Sequence, residues 1–248
     1  MSVSTIRLPQ SLRDKDLVGF FEDWESNYVT GDRWTPLTAD SSSASTLVLA
    51  LKNSGSARGI LSITQDATAN DEIYFTTTVA PFLFAANKPC YYEHRMQFSE
   101  AATNDMSCAF GFLSTASGSL ANSIIDTTGL PVASATMALI YKNTGSTVWK
   151  CRSQIGAAVG QTDSTSTTTA GGSAYQVLGI EVIPYSSTNA QVIFTVDGVA
   201  LRDSNNQPIV HDLVYTNAVT CGAFFGSKTV GGNAEVLLSD YVAAYQTR

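Results

Sequence analysis

The octapeptide YYEHRMQF, residues 91–98, decides the fold. Tyr92, His94, Met96 and Phe98 share one side of an extended chain, and Glu93, Arg95 and Gln97 share the other. A period of two sends alternate side chains to opposite faces of a sheet. The segment therefore reads as an antiparallel strand with one face in a core and one toward water. The pattern extends in both directions. Before it, Leu17–Asp23, Thr46–Leu51, Gly59–Thr64 and Glu72–Thr78 are rich in β-branched and aromatic residues. After it come Met106–Leu113, then Thr136–Lys142 and Thr147–Ser153, joined by the turn signal Asn143-Thr-Gly-Ser146. Gln176–Ile183 turns Leu178, Ile180 and Val182 to one face, leaving Glu181 on the other. Gln191–Val196 ends in Asp197-Gly198, a strong hairpin signal, and Val199–Leu201 pairs back. Val219–Gly226 and Glu235–Gln246 complete the series. Ser164–Gly172 (STSTTTAGG) reads as a flexible loop from its composition. About a dozen strands, no helix of three turns and no fixed-period repeat predict an all-β fold of two sheets packed face to face, a sandwich or jelly roll.

Composition agrees. The 248 residues include 28 Ser and 28 Thr, only 14% are charged, and the net charge is −7. All-β sandwiches of 200–250 residues are routinely one domain. Residues 17–248 are expected to form that domain, and residues 1–16 (MSVSTIRLPQSLRDKD) match neither a helix nor a strand and read as an arm. The arm holds no apolar core of the kind a secretory signal carries. The 14 basic residues are scattered, which argues against nucleic acid as a partner. Apolar runs such as Val79–Ala86 fall far short of the ~20 residues that a membrane helix needs. Cys90, Cys108, Cys151 and Cys221 show no C-x-x-C spacing and each lies in an apolar run, so they read as small buried hydrophobes.

Reactive constellations are scarce. No G-x-S-x-G elbow and no zinc spacing occur. His94 falls on the apolar face of its strand and reads as a core histidine, whereas His211-Asp212 reads as a loop pair. Glu22, Asp23 and Glu25 read as solvated residues at the end of the first strand. Glu93 and Arg95, on one face, suggest a cross-strand ion pair, and Glu181 has no second acid on its own strand. Asp203-Ser-Asn-Asn206 and Asn104-Asp105 offer oxygen ligands but fewer than the six to eight that calcium takes, and they suit turns as well. No cofactor is expected.

The order of segments resembles a known family. Phe20-Phe21-Glu22-Asp23 leads to Asp32-Arg33-Trp34, then to the Tyr92–Phe98 strand and Ala109–Leu113. Leu178–Val182 precedes Phe194-Thr-Val-Asp-Gly198, and Ser239-Asp-Tyr-Val242 with Tyr245-Gln246 follows. In this order, over residues 17–248, the chain resembles the concanavalin A-like lectin/glucanase jelly rolls, in particular the versions that tailed bacteriophages encode as virion proteins. The resemblance implies a two-sheet antiparallel jelly roll. It also implies a structural virion protein, foremost a capsid cement or decoration subunit on the outer capsid surface, made in the host cytoplasm. Such a subunit would bind the major capsid protein and neighbouring copies of itself as a dimer or trimer, with Ile6, Arg7, Leu8, Leu12 and Arg13 of the arm ordering on a neighbour. The alternative is a carbohydrate-binding tail or host-recognition protein using Trp24, Tyr28 and Trp34 as aromatic platforms. A glycan hydrolase is the third reading. Retaining glycosidases of this fold carry E-x-D-x-E or E-x-D-x-x-E, which sets two carboxyls within ~5–5.5 Å; no such run occurs here, so a non-enzyme is expected.

Overall fold

The structure is a computed structural model that describes residues 17–24, 33–39, 48–51, 59–65, 68–100, 105–114, 124–132, 135–156, 159–172, 174–215, 217–231 and 233–248. The expected arm, with Ile6, Arg7, Leu8, Leu12 and Arg13, lies outside the described residues, as do Tyr28 and Asn104. The described elements are strands: β1 (Leu17–Glu22), β2 (Trp34–Ala39), β3 (Val48–Leu51), β4 (Leu61–Gln65), β5 (Glu72–Thr77), β6 (Phe82–Phe84), β7 (Cys90–Glu100), β8 (Met106–Leu113), β9 (Met137–Lys142), β10 (Val148–Ile155), β11 (Val159–Thr169), β12 (Gln176–Pro184), β13 (Asn189–Val196), β14 (Val199–Ala200), β15 (Val210–Val214), β16 (Val219–Thr229) and β17 (Glu235–Thr247). No helix among the described residues is long and apolar enough to cross a membrane.

Two antiparallel sheets result. One has nine strands in the order β14-β13-β12-β7-β17-β4-β3, with β1 added on β17 and β15 on β13. The other has eight in the order β11-β10-β9-β8-β16-β5-β2, with β6 on β16. The expected two-sheet sandwich is therefore what the chain forms. The YYEHRMQF strand sits near the middle of the nine-stranded sheet, where β7 pairs with β12 on one side and β17 on the other. β17 meets β7 along one edge and shares its other edge between β1 (Val242–Thr247) and β4 (Glu235–Ser239).

Three strands and one reassignment depart from the sequence reading. β2, β6 and β15 form where no strand is expected, and Ser164–Gly172 is largely strand rather than loop. β11 is an edge strand paired only with β10, so Ser and Thr suffice to hold it without an apolar face. His211 correspondingly lies in β15 and not in a loop; the pattern Val210, His211, Asp212, Leu213, Val214 alternates exposed and buried.

Between the sheets, Phe75 stacks on Phe225 with ring centroids 5.1 Å apart, and His94 meets Phe225 edge-on at 4.8 Å. The outer face of the eight-stranded sheet is not open. Residues 124–132 lie across it, with Ile124, Ile125 and Leu130 packed against Tyr74, Leu139, Tyr141 and Phe224. Beneath this strap Lys228 is wholly buried and donates to Glu72 Oε1 at 2.9 Å and to the Ile125 carbonyl at 3.2 Å. Arg152 donates to both oxygens of Asp163, at 2.6 and 2.9 Å, and also to the Pro131 carbonyl. Asp126 closes the strap by accepting from the backbone N–H groups of Thr128 (2.7 Å) and Leu130 (3.0 Å). On the nine-stranded sheet, by contrast, the outward residues Phe21, Ile183, Val210 and Val214 are exposed.

Candidate functional site

Register places the outward side chains of the nine-stranded sheet in rows. Glu181 of β12 lies opposite Tyr91 of β7, which lies opposite Tyr245 of β17, which lies opposite Gly19 of β1. The next row runs Gly179, Glu93, Ala243, Phe21. Small residues alternate with aromatic ones, so rings can lie down on the sheet. At Gly19 a Cβ would sit 2.5 Å from Tyr245 Cδ1, which shows how closely that ring covers the glycine. Phe21 is 42% exposed and its ring lies 5.3 Å from that of Tyr241.

Glu93 stands at the centre of this surface. Its Oε2 accepts from Tyr91 Oη at 2.5 Å and its Oε1 from Tyr241 Oη at 2.7 Å. Each carboxylate oxygen thus fixes one phenol, and charge-assisted bonds of this kind are among the stronger side-chain contacts. Burial, then Glu93 and Glu181, push the Tyr91 hydroxyl pKa far up, so the phenol stays protonated and keeps donating. Tyr245 is raised also, by burial and by Glu93. Glu181 is half-buried; its oxygens make no hydrogen bond or ion pair among the described residues, and burial raises its pKa. Of Glu93 and Arg95, expected in a cross-strand ion pair, Arg95 makes one among the described residues and Glu93 does not. Arg95 pairs with Asp240, which sits at the bulge in β17, and its guanidinium stacks 4.4 Å from the Tyr175 ring. The signal for the tyrosine clamp was present in Tyr91-x-Glu93, two residues on one face of one strand, but Tyr241 lies 148 positions away and only the sheet register brings it there.

The aromatic platforms expected from the sequence lie elsewhere. Trp24 and Trp34 are each 1% exposed, 5.8 Å apart and packed edge-on against Phe225. They belong to the core, because a run of large apolar side chains ending a strand gains more from burial than from facing water. Trp24→Ala is expected to cost about 3–5 kcal/mol of stability in a urea melt. An unchanged melting curve would contradict this placement.

Both histidines are buried in hydroxyl networks. His94 Nε2 lies 2.7 Å from Ser239 Oγ and Nδ1 3.1 Å from Tyr92 Oη, while Trp24 Nε1 donates to the same Ser239 at 3.0 Å. His211, on the nine-stranded sheet, bridges to the other sheet through Ser153 Oγ (3.0 Å) and Ser164 Oγ (2.9 Å). Burial pushes His94 down to about 3 and His211 to about 4, with Asp163 opposing the latter. The contacts of His94 and the His211–Ser153 contact are buried, and the His211–Ser164 contact is part-buried. The four cysteines are buried, as expected, and are free thiols. Asp203 Oδ1 accepts from the N–H groups of Asn205 (2.9 Å) and Gln207 (2.8 Å), which makes that segment a closed turn. Asp105 is engaged by Asn233. No group of three or more His, Cys, Asp or Glu suited to a metal occurs among the described residues. A pocket of about 370 Å³ beside β1, between Val18, Phe20, Val79 and Pro81, offers one cation, Arg33, already paired with Glu22 at 3.1 Å.

No protein-family model matches the chain, and neither does any curated protein. Solved structures do. An endo-1,3-β-glucanase from Streptomyces sioyaensis superposes with a TM-score of 0.57 at 15% identity, over 97% of this chain and 99% of that one. The Emp47p carbohydrate recognition domain gives 0.55 at 11% identity, over 92% and 95%. Peanut lectin gives 0.51 at 12% identity, over 94% and 98%. Enzymes and lectins stand side by side in this set, so similarity at this level speaks for architecture and leaves chemistry to the residues. The chain has the concanavalin A-like lectin/glucanase jelly-roll fold.

Proposed function

We propose that the protein is a lectin-like carbohydrate-binding sandwich that works by adhesion and not by bond cleavage. One observation carries the reading: Glu93 anchors Tyr91 and Tyr241, themselves 9% and 5% exposed, and these support the 42%-exposed Phe21 and the half-buried Tyr245 beside them on the outward face of the nine-stranded sheet. Sugar rings stack their C–H faces on such aromatic surfaces. Side chains already fixed before binding lose little freedom when a ligand arrives. Hydrolysis would need a second carboxyl working with Glu93 across one glycosidic bond. Both Glu93 oxygens are instead committed to tyrosine hydroxyls, which suits a scaffold role.

A cement subunit on a capsid, the role first suggested by the order of segments, would use contact area over many copies and needs no preorganised tyrosine floor. That floor is what favours the glycan reading. The test is a glycan array followed by calorimetric titration of the best ligand. Phe21→Ala and Tyr245→Ala are expected to weaken binding about tenfold each, the size of a lost aromatic contact, with the melting curve little changed. Release of reducing ends from the bound glycan, or affinity indifferent to both substitutions, would overturn the proposal.

A further inference from the structure

Glu181 stands out on the outward face of the nine-stranded sheet. It is half-buried, opposite Tyr91 in the register, and its neighbours there are Gln191, Ile193 and Thr195 on β13, Tyr91 and Glu93 on β7, and Gly179 and Ile183 on its own strand. No cation is among them. The nearby arginine, Arg95, is committed to Asp240 and Tyr175. A carboxylate partly withdrawn from water, beside a fixed aromatic ring and unmatched by any described side chain, is a site that a cation completes.

Resting on the glycan reading, we infer that this face selects a saccharide bearing a free primary amine, with the ammonium group paired to Glu181 and the sugar ring seated across the half-buried Tyr245, next to Tyr91 in the register row. The ammonium would donate to a Glu181 oxygen, and the same charge would face the negative field of Glu93 and the tyrosine ring faces. An N-acetylated sugar carries no charge at that position and leaves Glu181 unmatched. A uronic acid brings a further negative charge to a face that already holds Glu93 and Glu181.

The experiment uses β-1,4-linked oligosaccharides of equal length that differ only at carbon 2, carrying an amino, an acetamido or a hydroxyl group. Each is titrated calorimetrically into the wild-type protein and into Glu181→Gln. The amino series is expected to bind about tenfold more tightly than the hydroxyl series, and Glu181→Gln to remove that preference. A net charge of −7 attracts any polycation weakly; that attraction survives in Glu181→Gln almost intact, so the variant separates it from the specific pair. Preference persisting in the variant, or equal binding of the three series to the wild type, overturns this inference and leaves the glycan reading standing. Binding of none of them, together with a blank glycan array, overturns both.

Discussion

Acidification from pH 7 to pH 4 is expected to remove roughly 6 kcal/mol of folding stability through two side chains alone. His94 and His211 are the histidines of the chain, and burial holds them near 3 and 4. An unfolded histidine titrates at about 6.5. Both folded values lie below that, so between about 6.5 and 4 the unfolded state binds protons that the native state refuses. Stability is then complete above about pH 6.5 and falls as pH drops toward the folded values. The amount is comparable with the whole stability of an ordinary domain, about 5–15 kcal/mol. Urea melts at pH 7, 5.5 and 4, read by tryptophan fluorescence, measure it. His94→Gln, which cannot titrate, is expected to start less stable and to lose less on acidification. Imidazole protons seen by NMR to titrate between pH 6 and 7 in the folded protein would refute the argument.

Lys228→Met is the second large effect. Lys228 is wholly buried and neutralises Glu72, itself 1% exposed, while its second bond ties the Ile125 carbonyl of the strap to the sheet. Removing one member of a buried ion pair leaves a charge with no solvent, which costs about 3–5 kcal/mol. Replacing both, as Lys228→Met with Glu72→Leu, is expected to recover most of the loss, because well-packed apolar residues can substitute for such a pair. The single variant is also expected to speed hydrogen exchange at residues 124–132. Equal stability of the single variant and the wild type would show that the pair is not what holds the strap.

The fold was legible because sheet period is local. YYEHRMQF, the Gln176–Ile183 alternation and the Asp197-Gly198 turn each announce themselves within eight residues. What escaped was set by partners distant in sequence. β11 looks like a loop because its inward residues, Ser164 and Ser166, are small and polar. Ser164 is inward because His211 needs a hydroxyl there, and only the meeting of β15 with β10 and β11 shows this. His211 itself stood in a clean alternation from Val210 to Val214, which the reading of His211-Asp212 as a loop pair passed over. The site was the least legible part. Aromatic side chains are interchangeable by composition, so Trp24 and Trp34 could be platforms or core. The burial of both is decided by packing on Phe225 of β16, and the clamping of Tyr91 and Tyr241 by one carboxylate by the register of β7 on β17.

The place of β17 has a consequence for how this polypeptide comes into being. Strands β1, β4 and β7 all hang on residues 235–247, the most recently synthesised of them. The nine-stranded sheet cannot close while that segment is still inside a ribosome. Until then, earlier strands wait with unpaired edges, the condition under which nascent chains are captured by chaperones or proteases. Pairing between strands so far apart along the backbone also makes closure slow. Assembly of this sheet thus waits on residues 235–247, and a ribosome stalled before Tyr241 would leave β1, β4 and β7 without the strand that joins them.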